Sequence, residues 1–128
     1  EHEMSLVINA RDMVLQTERA LERIDNKQYG YESNSGRFAA FYLAEYHNRV
    51  GEKAEAKKYY LKTVAYGEES ESQESGYYLH SLIQLGKMAT AEKNKAQARK
   101  YFDTVKRYAK RKHPAHKEAR DFIKKNKL

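Results

Sequence analysis

The sequence predicts an all-α fold on three observations. The 128 residues contain one proline, β-branched residues almost never alternate with polar ones, and apolar residues recur at helical spacing between Gly, Ser and Asn breakers. Leu, Ile, Val and Phe together number only 22, but 15 alanines and 11 tyrosines can fill a core of closely approaching helices. A net charge of +7 is too small per residue to signal disorder. This length suits one domain, spanning 1–128, that buries roughly two-thirds of the unfolded chain's surface. Cysteine is absent, which excludes disulfides, thiolate metal sites and cysteine nucleophiles. No apolar run approaches the ~18 residues of a membrane span, and no signal-peptide core is visible. Because the chain begins at Glu1 rather than Met, it reads as a processed or trimmed piece. Cytoplasm and periplasm fit equally well, so the compartment stays open.

The elements follow in order. A first helix is expected over about 5–25, its stripe formed by Leu6, Ile8, Met13, Val14, Thr17, Ala20, Leu21 and Ile24. Residues 26–36 hold glycines, asparagines and serines and read as a loop. The second helix should run from about Arg37 to Val50 and stop at Gly51 in a left-handed cap. The third spans about Glu52 to Tyr66 and stops at Gly67. The acidic stretch Glu68 to Gly76 reads as a solvated connection, with Glu68, Glu69, Glu71 and Glu74 lacking the glycine and ligand alternation of a calcium loop. A fourth helix over about Tyr77 to Glu92 and a fifth over about Lys95 to Lys112 come next. Pro114 suits the first turn of a final helix over 114–125, with Ala115, Ala119, Phe122 and Ile123 on its apolar side.

A shift of 42 residues superimposes the middle of the chain on itself. Lys53-Ala54-Glu55-Ala56-Lys57-Lys58-Tyr59-Tyr60 falls on Lys95-Ala96-Gln97-Ala98-Arg99-Lys100-Tyr101-Phe102. The same shift pairs Leu43 with Leu85, Ala44 with Gly86, Ala40 with Leu82 and Tyr66 with Tyr108. Two copies of a helix pair therefore follow one another, at 37–66 and 77–112. Small residues at Ala44, Gly86, Ala56 and Ala98 let two backbones approach, while Leu43, Leu85, Tyr60 and Phe102 fill the space beside them.

This unit resembles the tetratricopeptide repeat, whose first helix carries a bulky residue, Leu-Gly and an aromatic, and whose second carries Ala and then a large aromatic four residues on. The positions fall on Ala40, Leu43, Ala44, His47, Gly51, Ala56, Tyr60 and Thr63 in one copy. In the other they fall on Leu82, Leu85, Gly86, Ala89, Ala98, Phe102 and Val105. The repeat is longer than the family's ~34 residues, the Trp position holds Ala40 or Leu82, and Lys93 stands where a turn glycine is common. The resemblance implies an α-solenoid of two antiparallel helix pairs, with an extra N-terminal helix and a C-terminal capping helix. It also implies that the first helix of each pair lines an inner groove. The groove positions are then Phe38, Phe41, Tyr42, Glu45, Asn48 and Arg49, followed by His80, Ile83, Gln84, Lys87 and Thr90. Aromatic groups beside amides and charges suit an extended or helical peptide. The family's clamp for a C-terminal carboxylate is not expected, because Phe41 and Glu45 occupy positions where a basic residue and Asn would stand.

Charge is distributed unevenly. From Lys93 onward there are fourteen Lys and Arg against Asp103, Glu118 and Asp121, a balance of +11, while residues 1–92 carry −4. The densest cluster, Lys106, Arg107, Lys110, Arg111 and Lys112, is expected on the fifth helix and could meet nucleic acid or an acidic membrane. A coat of lysines on the outer face of a terminal repeat is the plainer reading. No catalytic constellation appears, and neither a metal nor a cofactor is expected. His113 and His116 are surrounded by Lys110, Arg111, Lys112 and Lys117, which repel a cation, and His47 occupies a core aromatic position. The expectation is a non-catalytic adaptor for a protein or peptide partner. Docking to an anionic polymer or membrane is the alternative, and self-association through aromatic or Ala-rich faces is a third reading.

Overall fold

A computed structural model describes residues 13–22 and 33–128. Every regular element among them is helical. Residues 13–22 form α1, followed by α2 (Ser33–Arg49), α3 (Lys53–Glu69), α4 (Gly76–Ala91), α5 (Lys95–Tyr108) and α6 (Pro114–Asn126). The expected extension of the first helix over 5–12 and 23–25, and the loop over 26–32, lie outside the described residues.

Each helix packs against its chain neighbour from α2 to α6. In addition α4 touches both α2 and α6, whereas α3 and α5 do not approach one another at backbone level. Within α1, Val14 and Leu21 are buried, and Met13 and Leu15 are exposed. Two contiguous clusters form the core. One joins α1, α2 and α3, with Leu85 of α4, around Leu43, Ala56 and Tyr60, and the other joins α4, α5 and α6 around Leu82, Phe102 and Ala119. Burying a side chain as large as Tyr60 or Phe102 is worth about 1.5–3 kcal/mol relative to exposure.

Positions 42 apart share their surroundings. Ala40 and Leu82, Leu43 and Leu85, Ala56 and Ala98, Tyr60 and Phe102, and Thr63 and Val105 are all buried. The turns repeat bond by bond. The Glu52 N–H donates to the His47 carbonyl at 2.9 Å, and the Asn94 N–H donates to the Ala89 carbonyl at 2.8 Å. Gly51 and Lys93, also 42 apart, both take left-handed backbone, with φ of 84° and 61°. Each turn is a Schellman cap, and Lys93 accepts at some cost a conformation that Gly51 adopts freely.

Four boundaries differ from expectation. First, α2 begins at Ser33, so the supposed loop residues 33–36 are helical. Gly67 does not end α3, which runs on to Glu69. A Cβ at Gly67 would lie 2.6 Å from Tyr78 Cδ2, so this glycine serves the close approach of α4. The acidic connection shrinks accordingly, and Ser75 caps α4 by accepting from the Tyr78 N–H at 3.3 Å. Finally, α5 stops at Tyr108 rather than Lys112: Ala109 is extended with its methyl buried, and His113, restricted by the following Pro114, caps α6.

Candidate functional site

The first helices of the two pairs, α2 and α4, carry a continuous strip of aromatic and polar side chains. At its N-terminal end Phe38 meets Tyr77 edge-on at 5.7 Å, and Phe41 lies 5.0 Å from Tyr77 and 5.5 Å from His80. The Arg37 guanidinium stands over the Tyr77 ring at 5.9 Å. Phe38 is 58% exposed, and Tyr42 and Tyr77 are each 36% exposed. The helices leave this much ring surface in water because the core takes the opposite face, through Ala40, Leu43, Ala44 and His47 on α2.

Polar groups continue the strip toward the helix C-termini. The Glu45 carboxylate accepts from the Tyr60 hydroxyl on one oxygen, and its other oxygen lies 3.1 Å from His80 Nε2. Burial, and then the hydrogen bond to Glu45, push the Tyr60 phenol well above its ordinary value, so it stays a donor. Gln84 Nε2 lies 3.4 Å from His80 Nε2. Beyond it the Lys53 ammonium donates to Asn48 Oδ1 at 2.7 Å, and Lys87 pairs with Glu118 of α6 at 3.1 Å. Between these groups opens a cleft of about 440 Å³ lined by Asn48, Lys53, Gln84, Lys87, Met88 and Glu92. Glu45 and Lys87 are themselves 42 apart, and each ties its helix to the next first helix in the row.

Seven residues chosen from sequence, Phe38, Phe41, Glu45, Asn48, His80, Gln84 and Lys87, belong to this strip. Tyr42 and Arg49 are exposed farther around α2. Ile83 is not a groove residue: it is buried in the cluster that α6 completes. Thr90 turns its hydroxyl back onto the Gly86 carbonyl at 2.9 Å. Sequence reasoning missed Arg37 and Tyr77. Their signal was helical spacing, one turn before Phe41 and one turn before His80.

The basic cluster is divided. Lys106 and Arg107 end α5, with Arg107 over the Tyr108 ring at 5.5 Å. Lys110, Arg111 and Lys112 lie in the turn before α6, contrary to their expected place on α5. Glu74 lines a shallow hollow with Lys110 and His113, so an acid faces this turn. His113 Nδ1 is occupied in accepting from the Ala115 N–H at 3.1 Å. Buried His47 stacks on Tyr59 at 5.6 Å with Nδ1 3.4 Å from Glu52, which gives it a role in joining helices. Among the described residues no three His, Cys, Asp or Glu gather as metal ligands, and no helix is long and apolar enough to cross a membrane.

No family model, no curated protein and no solved structure matches this chain.

Proposed function

We propose that the chain is a tetratricopeptide-like α-solenoid acting as a non-catalytic adaptor, and that it holds a peptide or protein segment along α2 and α4. The observation that carries this reading is the ring cluster of exposed Phe38 and Tyr77 with half-buried Phe41, running directly into the polar cleft at Asn48, Gln84 and Lys87. Exposed rings supply area to desolvate, and fixed polar groups supply orientation and register. The solenoid reading is supported by contacts within the row α2, α4, α6 while α3 and α5 stay apart. Helices closer on one side than the other bend a stack toward the closer side, which supports reading this strip as the inner face. Glu45 is engaged by Tyr60 and His80, and Lys87 by Glu118, which suits recognition better than proton transfer.

Panning a displayed peptide library on the purified protein tests the proposal. Enriched peptides should lose tenfold or more in affinity, about 1.4 kcal/mol, when Phe38→Ala and Tyr77→Ala are combined. Failure to enrich any sequence, or equal affinity for the double variant, contradicts the groove assignment.

A further inference from the structure

The basic end of the molecule carries a feature that the cluster at Lys110–Lys112 does not capture. Thirteen Lys and Arg follow Asn94, and among the described residues carboxylates pair with two of them. Asp103 holds Arg99 at 3.0 Å and Asp121 lies 3.8 Å from Arg120. The third acid, Glu118, is directed to Lys87 of α4 and neutralises nothing on its own helix.

Five of these cations line two neighbouring helices. On α5, Lys95, Arg99 and Lys106 stand at spacings of four and seven residues, and on α6, Arg120 and Lys124 stand four apart, so each set lies along one side of its helix. Arg99 reaches across to donate to the Leu128 carbonyl at 2.9 Å, which places its stripe beside α6. Phe102 and Phe122 pack beneath at 4.8 Å and hold the helices together. Two basic lips therefore border one seam, separated by about the 8–10 Å of packed helices.

We propose that the α5–α6 seam is a docking surface for the phosphate backbone of a nucleic-acid duplex. A duplex offers closely and regularly spaced anions along a narrow ridge, which matches a seam with cations along three turns of α5 and one turn of α6. A lipid surface fits less well. Membrane association gains from apolar side chains that insert beside the charges, and the exposed large apolar residues, from Met13 to Tyr77, all precede α5. Single strands are held largely by stacking on exposed aromatic rings, and the rings of Tyr101, Phe102, Tyr108 and Phe122 are buried or half-buried. Recognition should therefore be independent of sequence and sensitive to salt. It stands apart from the groove and does not depend on it.

Fluorescence anisotropy of a labelled random-sequence duplex of about 20 base pairs, over about 50–200 mM salt, tests this proposal. Binding is expected to weaken with a log–log slope of about −3 or steeper, near one unit per phosphate contacted. Lys106→Glu, Arg120→Glu and Lys124→Glu together should lose at least about tenfold in affinity, while Lys58→Glu on α3 should change little. The corresponding Gln triple variant should also weaken binding while still unfolding cooperatively in urea, which separates lost docking from lost folding. The proposal is overturned if the duplex does not bind at the lowest salt, or if the Glu triple variant binds as tightly as the parent. Tighter binding to phosphatidylserine–phosphatidylcholine vesicles or to polyglutamate than to the duplex at equal salt overturns it too.

Discussion

Gly86 and Gly76 both belong to α4, yet replacing them should have opposite consequences. A Cβ at Gly86 would fall 2.6–2.9 Å from three atoms of the Phe102 ring, which is fully buried between α4 and α6 and cannot retreat. Gly86→Ala should therefore cost about 1–3 kcal/mol through forced displacement of packed groups. At Gly76 nothing lies within 4 Å of the added methyl, and Ala is the better helix former, so Gly76→Ala should be neutral or stabilising by up to about 1 kcal/mol. Urea titrations of the two variants read both signs. A stable Gly86→Ala protein would mean that α4 and α5 are not held at this distance. The same scale shows what the sequence could convey. Ala44, Gly86, Ala56 and Ala98 were legible as points of close approach because their smallness recurs in register. Gly67 was not, because a glycine beside an acidic run looks the same whether it ends a helix or admits a Tyr78 ring.

Between elements, two buried phenols act as ties. Tyr60 joins α3 to Glu45 of α2, and Tyr78 joins α4 to Glu68 of α3 at 3.3 Å. Burial raises both phenols above their ordinary value, and the neighbouring carboxylate raises each further. Below about pH 10 folded and unfolded chains hold these protons alike. Above it the unfolded chain releases them and the native protein does not, so stability should fall by about 1.4 kcal/mol per pH unit for each tyrosine. Tyr60→Phe should remove one proton from that slope at little cost to the fold, since Phe102 occupies the matching site of the second pair. Urea midpoints compared between about pH 9 and 11 would settle it, and an unchanged slope in the variant would count against the tie. Helix boundaries were less legible than helix existence. The start of α2 at Ser33 was hidden because Ser and Gly in a first turn look like a loop. The end of α5 at Tyr108 was hidden because a basic run through Lys112 carries no breaker before Pro114.

At the scale of the whole molecule, a 42-residue shift in sequence becomes two helix pairs with matching burial, matching turns and matching ties between first helices. The strip was partly legible because it inherits that register: Phe41, Glu45, His80 and Gln84 meet across α2 and α4. It was incomplete where the register ends. The position 42 residues before Tyr77 is Ser35, outside the first copy, and Ile83, the counterpart of Phe41, is buried because α6 covers α4 where α4 leaves α2 more open. The arrangement leaves two surfaces of different chemistry, an aromatic and polar strip on the first helices and a cationic seam at the far end. Backbone and aromatic NMR shifts recorded while adding a library-selected peptide test the central claim most directly. The account predicts changes concentrated on Phe38, Phe41, Tyr77, His80 and Gln84, with α5 and α6 unmoved. Changes confined to Lys106–Leu128, or spread evenly over the chain, would contradict it.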